Sequence, residues 1–170
     1  MMAALGIAIK PIVTPLAQII TGPLFIPGGV VAGGFYMLWI VLGYGLTGNK
    51  PGSATLIALV QALMVLVSPF GNHGAFSLVS YTLPGIAVDL LYLLVRPGPT
   101  SPPRAFAGGV VANFAGSLPV LTVVMRVPIL DAPLVFLALL TAVLSLAGGL
   151  GGLVAFGLLK QLRRFKIGVE

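Results

Sequence analysis

Long apolar runs, separated by compact clusters of glycine, proline and charge, set the pattern of this chain. The runs fall at about 3–20, 27–46, 52–68, 75–95, 104–124 and 133–160. Each is near the ~20 residues that an α-helix needs to cross a hydrocarbon layer. The separators are strong helix breakers: Gly22-Pro23 with Pro27-Gly28-Gly29, Gly48-Asn49-Lys50-Pro51-Gly52, Ser68-Pro69-Phe70-Gly71-Asn72, the stretch from Pro97 to Pro103, and Pro128 with Pro133. Alternation at the period of a strand is missing, and the runs far exceed the ~10 residues of a membrane barrel strand. The pattern predicts one all-α integral membrane domain over residues 1–170, a bundle of six transmembrane helices.

The basic residues orient that bundle. Alternate connections carry Lys50, then Arg96 and Arg104, then Lys160, Arg163, Arg164 and Lys166; the other set carries only Arg126, with Asp131 close by. Positive charge is retained on the cytoplasmic side. Both termini are therefore expected in the cytoplasm of a prokaryotic cell membrane, with residues 21–29, 69–74 and 125–132 outside.

Composition removes several function classes. The chain is 58% hydrophobic and 7% charged, where a soluble domain carries about 25% charged residues. Its net charge of +6 lies in short clusters between apolar runs, a topology signal that implies no nucleic-acid partner. Cysteine is absent, which excludes disulfides, thiolate metal sites and cysteine nucleophiles. No basic region precedes the first apolar stretch, and Lys10-Pro11 interrupts it, so no secretory signal is expected. Acid–base or metal chemistry needs several acids or histidines together. Here Asp89 and His73 are far apart in sequence, Asp131 lies in a loop and Glu170 at the tail. The expectation is a binding protein, with no enzyme activity, no cofactor and no metal site.

Polar groups within the spans are the candidates for binding, because each is costly in lipid. In the fourth span His73, Ser77, Ser80, Tyr81 and Pro84 recur at three- and four-residue steps along one side of a helix. With Asn72, they make a hydrogen-bonding stripe leading inward from the predicted external mouth; the alternative is interhelical packing. Tyr36 and Trp39 stand one turn apart in the second span. Trp39 lies ~18 Å from the external end at 1.5 Å per residue, as core packing or as the stacking wall of a pocket. Gln61 and Asn113, also mid-span, would meet a ligand or one another.

Two charges are embedded in the spans. Lys10 and Asp89 are expected at similar heights and to neutralise each other across the bundle. The plainer arrangement has Lys10 snorkelling and Asp89 pairing with Arg96 or Arg104. Small residues form the last pattern: Ala4 and Ala8 in the first span, Ala105, Gly109, Ala112 and Gly116 in the fifth, and Ala147, Gly148, Gly151, Gly152 and Ala155 in the sixth. Such flat faces let helices approach closely, and they suggest a subunit that docks against another membrane protein.

Three segments, Tyr36-Met37-Leu38-Trp39, Lys50-Pro51-Gly52-Ser53-Ala54 and Pro84-Gly85-Ile86-Ala87-Val88-Asp89 through Arg96, resemble the substrate-binding S components of energy-coupling factor (ECF) transporters. The likeness is greatest to the hydroxymethylpyrimidine/thiamine-type branch and spans about residues 35–96. It implies a six-helix protein that captures a vitamin or vitamin precursor at its external face, in complex with a membrane T component and two ATPase subunits. Tyr36, Trp39, Gln61, Asn72, His73, Ser77, Tyr81 and Asn113 are then the candidate substrate residues, and Ala4 and Ala8 match the family's alanine pair facing the T component. The third span departs from thiamine-type relatives in carrying Gln61 and no acid. The nickel/cobalt branch begins Met-His, whereas this chain begins Met-Met with a single histidine, which disfavours that branch. A membrane scaffold that only packs against partner helices is the competing class, and a small channel is weaker because no charged ring or carbonyl filter occurs.

Overall fold

The computed structural model describes residues 1–24, 28–68 and 74–165. They form helices α1 (Met2–Ala8), α2 (Lys10–Thr21), α3 (Gly28–Leu46), α4 (Ser53–Val67), α5 (Ser77–Leu94), α6 (Pro102–Pro119) and α7 (Leu134–Arg164), with no strand among the described residues. A helix thus occupies each of the six apolar runs, the first run being divided. At Lys10-Pro11 the axis turns by 46° between α1 and α2. Pro11 has no N–H to return to the preceding turn, and its ring crowds the carbonyl there.

Four helical segments are long and apolar enough to cross a membrane, and the bent α1–α2 pair makes a fifth. At 15 residues α4 is shorter. The described residues therefore carry four to five candidate spans in place of the six expected.

At the centre of the bundle is α3, with 67% of its apolar window buried, against 28% for α7. It packs on α1, α2, α4, α5, α6 and α7. Glycine makes these approaches possible. A Cβ on Gly34 would overlap the Ala147 carbonyl, and one on Gly109 would overlap that of Gly148; Gly148, Gly151 and Gly152 are blocked in the same way by backbone of the facing helix. The small faces of the fifth and sixth runs are consumed in α3–α7 and α6–α7 packing and are not the docking surface expected from sequence.

One end of the bundle gathers basic connections. Arg163 Nη2 donates to the Gly45 carbonyl at 3.3 Å, and Tyr92 Oη donates to the Arg104 carbonyl at 3.2 Å. Gly98, at φ +95°, lies close against Asn49 and Tyr44. The tail of α7, the start of α6 and the α3–α4 and α5–α6 connections therefore meet there, at the end of α3 farthest from Gly28. At the other end, α6 continues through a π turn, Val120–Val124, directly after Pro119, where the missing proline N–H releases the regular ladder.

Candidate functional site

Asp89 is fixed by structure, not by charge pairing. Its carboxylate accepts hydrogen bonds from the Gly52 amide (3.0 Å), the Thr55 amide (2.8 Å) and Thr55 Oγ1 (2.6 Å). Gly52 is the N-cap of α4 and adopts φ 84°, a conformation that glycine reaches without strain. A carboxylate from α5 thus satisfies donors at the start of α4, where the helix dipole also favours negative charge. Gly85 makes this reach possible, because a Cβ there would strike the Ala54 carbonyl and Ala58. Gly85 and Asp89 lie four residues apart, on the same face of α5. The Lys-Pro-Gly turn and the Gly-x-x-x-acid segment are one capping device.

The expected Lys10–Asp89 pair is therefore not formed. Lys10 lies two helical turns nearer the start of α5, with Nζ 5.1 Å from the centre of the Tyr81 ring. Lys10 opens α2, directly after the break that ends the seven-residue α1.

Lys10 belongs to a cavity of about 340 Å³ at the end of the bundle away from the basic connections. From α2 it is lined by Lys10, Thr14, Gln18 and Thr21, and from α3 by Gly28, Gly33, Tyr36 and Met37. Ser80 and Tyr81 of α5 and Gly116, Ser117, Leu121 and Met125 from α6 and the segment after it close the other sides. Thr14 Oγ1 and Tyr36 Oη are hydrogen-bonded to each other. Ser80 is 4% exposed, and its hydroxyl has no hydrogen-bond partner among the described residues. Gln18, Gly22, Gly29 and Met125 are exposed at the rim. No acid lines the cavity among the described residues. Its size falls at the small end of the roughly 300–1,000 Å³ found for ligand pockets.

Of the eight candidate substrate residues, Tyr36 and Tyr81 line this cavity. Asn72 and His73 lie outside the described residues. The other four are placed elsewhere. Asn113 is fully buried and ties three helices: Nδ2 donates to the carbonyls of Val30 (3.2 Å) and Leu144 (2.9 Å), and Oδ1 accepts from Ser117 Oγ (3.3 Å). Gln61 and Trp39 pack together against Gly6 of α1, with the Trp39 indole nitrogen buried and without a partner. Ser77 is wholly buried and also unpartnered. None of these four lines the cavity.

Sequence reasoning missed the polar ladder of α2. Lys10, Thr14, Gln18 and Thr21 repeat at four- and three-residue steps, one helix face, and all four line the cavity. Ala4 and Ala8 are exposed on the outer side of α1.

A family model described as "ABC-type cobalt transport system, permease component" matches residues 1–115, which include α1 to α5 and most of α6. No curated protein and no solved structure matches.

Proposed function

Because the chain belongs to this family of ABC-type transport permease components, a set of membrane subunits that work with ABC transporter partners, we propose that it is the substrate-binding S component of an ECF-type importer. The observation that carries the reading is the cavity between α2, α3, α5 and α6. It lies opposite the basic end, which the positive-inside rule assigns to the cytoplasm. In that orientation the bundle crosses the cell membrane six times, with α4 as a short span and both termini inside, and the cavity receives solute from outside. The subunit itself catalyses nothing. Energy comes from two ATPase subunits through a T component that contacts the Ala4–Ala8 face of α1.

The solute is a vitamin or vitamin precursor without net positive charge. Hydroxymethylpyrimidine, which is neutral, suits a lining of hydroxyls, Gln18 and tyrosine rings better than thiamine, whose thiazolium would meet the Lys10 charge. The family description names cobalt, and that gives the second reading. Lys10 opposes a divalent cation in this cavity, and the described lining residues include no carboxylate, thiolate or imidazole of the kind that binds transition metals.

The test is reconstitution. The chain should co-purify with a T component and ATPases, and proteoliposomes should accumulate labelled hydroxymethylpyrimidine or another vitamin only with ATP. Accumulation of Co²⁺ alone would replace this reading with the second. Accumulation of nothing, with no complex formed, would leave the scaffold class.

A further inference from the structure

We infer that the solute presents a hydrogen-bond acceptor and an N–H donor side by side, as an aminopyrimidine or a carboxamide does, and that Ser80 reads both. This deepens the proposed function and rests on it.

Most hydroxyls on the cavity wall are committed within the fold. Thr14 and Tyr36 are bonded to each other, Thr21 Oγ1 donates to the Ala17 carbonyl at 2.8 Å, and Ser117 Oγ donates to Asn113 Oδ1 at 3.3 Å. Ser80 differs. It is buried on the same wall, and its Oγ has no hydrogen-bond partner among the described residues. A buried hydroxyl left in that state is costly, and an acceptor on a solute in the cavity relieves the cost.

The main chain of the same residue supplies the second group. In a regular helix the Ser80 carbonyl accepts from the amide four residues on. That residue is Pro84, inside α5, and proline has no N–H. The helix nevertheless continues to Leu94, so the carbonyl keeps its place in α5 without its regular donor. Facing it from α6 is Gly116, another lining residue, where an added Cβ would come within 3.4 Å of the Ser80 oxygen. Glycine sets no side chain over that carbonyl. An O–H donor and a C=O acceptor therefore belong to one residue of the wall. Their complement is an acceptor next to an N–H: the ring nitrogen and amino group of an aminopyrimidine, or the oxygen and nitrogen of a carboxamide.

The experiment compares matched probes on the full chain in phosphatidylcholine nanodiscs: hydroxymethylpyrimidine against its analogue without the amino group, and nicotinamide against methyl nicotinate. Both members of each pair keep the acceptor, and only the first carries the N–H. Affinity is read by thermal stabilisation and titration calorimetry. The N–H member of at least one pair should bind about tenfold more tightly, the scale of one hydrogen bond whose loss strands a buried partner. Pro84→Ala returns an amide to the helix ladder and engages the carbonyl, so it should erase that preference. Gly116→Ala, which sets a methyl against the same carbonyl, should narrow it. A changed helix bend would scale both members of a pair together, so the ratio within a pair isolates the carbonyl. Ser80→Ala should instead weaken both members by about tenfold and leave their ratio. Circular dichroism checks that each variant is folded. Equal affinity within both pairs, a preference that survives both Pro84→Ala and Gly116→Ala, or no loss in Ser80→Ala overturns the inference while leaving vitamin capture intact. ATP-driven uptake confined to vitamins without such an edge refutes the Ser80 reading and not the transporter; absence of any binding, uptake or complex refutes both.

Discussion

Asp89 and Lys10 are both charges set among apolar helices, and the fold treats them in opposite ways. Asp89 meets three donors at the start of α4, so its charge is consumed within the structure. Lys10 meets a tyrosine ring and an open volume lined by hydroxyls. The same contrast separates the two ends of the bundle. One end is closed by glycine-mediated packing and backbone hydrogen bonds under basic connections. The other carries the cavity, between the α1–α2 bend and the π turn after Pro119. One charge caps a helix; the other lines a cavity.

The largest expected effect falls on the satisfied charge. Asp89→Ala leaves two amides and a hydroxyl without their acceptor, and should cost about 3 kcal/mol or more, read as a lower unfolding midpoint in detergent. Solute affinity at a temperature where the variant is folded should change little. Asn113→Ala comes next, at about 2 kcal/mol, because it frees the carbonyls of Val30 and Leu144 and parts three helices. Gly109→Ala should cost about 1–3 kcal/mol by overpacking the α6–α7 contact. Gly157→Ala, where an added Cβ meets nothing within 4 Å, should be neutral or stabilising by up to about 1 kcal/mol. The smallest effect belongs to Trp39→Phe. It keeps a ring against Gly6 and removes an indole N–H that has no partner, so solute binding should be unchanged; a large loss of affinity would return Trp39 to the site and blur the division between the two ends.

Much of the architecture was legible because lipid imposes a simple rule: a helix must be long, apolar and bounded by breakers. The runs at 27–46, 104–124 and 133–160 correspond to α3, α6 with its π turn, and α7 for this reason. Rotation about the helix axis was not legible. In a chain that is 58% hydrophobic, lipid-facing and core-facing positions look alike, so the pattern does not show that Gln61, Ser77 and Asn113 lie outside the cavity lining. Tyr36, one turn from Trp39, and Tyr81, in the polar stripe of the fourth run, are visible in sequence and line the cavity. The α2 ladder is less conspicuous in sequence, because Lys10 stands out as an embedded charge while Thr14, Gln18 and Thr21 are uncharged. The small faces of α6 and α7 misled in another way: close approach within one chain and close approach between chains ask for the same residues.

The most direct test uses the absence of cysteine. A single cysteine at Ser80, in right-side-out vesicles, is exposed to a small membrane-impermeant thiol reagent with and without the tightest-binding solute. Capture from outside requires that it react from the external side and that solute protect it, while a cysteine at Ser77, buried away from the cavity, stays unreactive in both conditions. Reaction from the cytoplasmic side alone, or labelling at Ser80 that solute does not slow, would contradict the account.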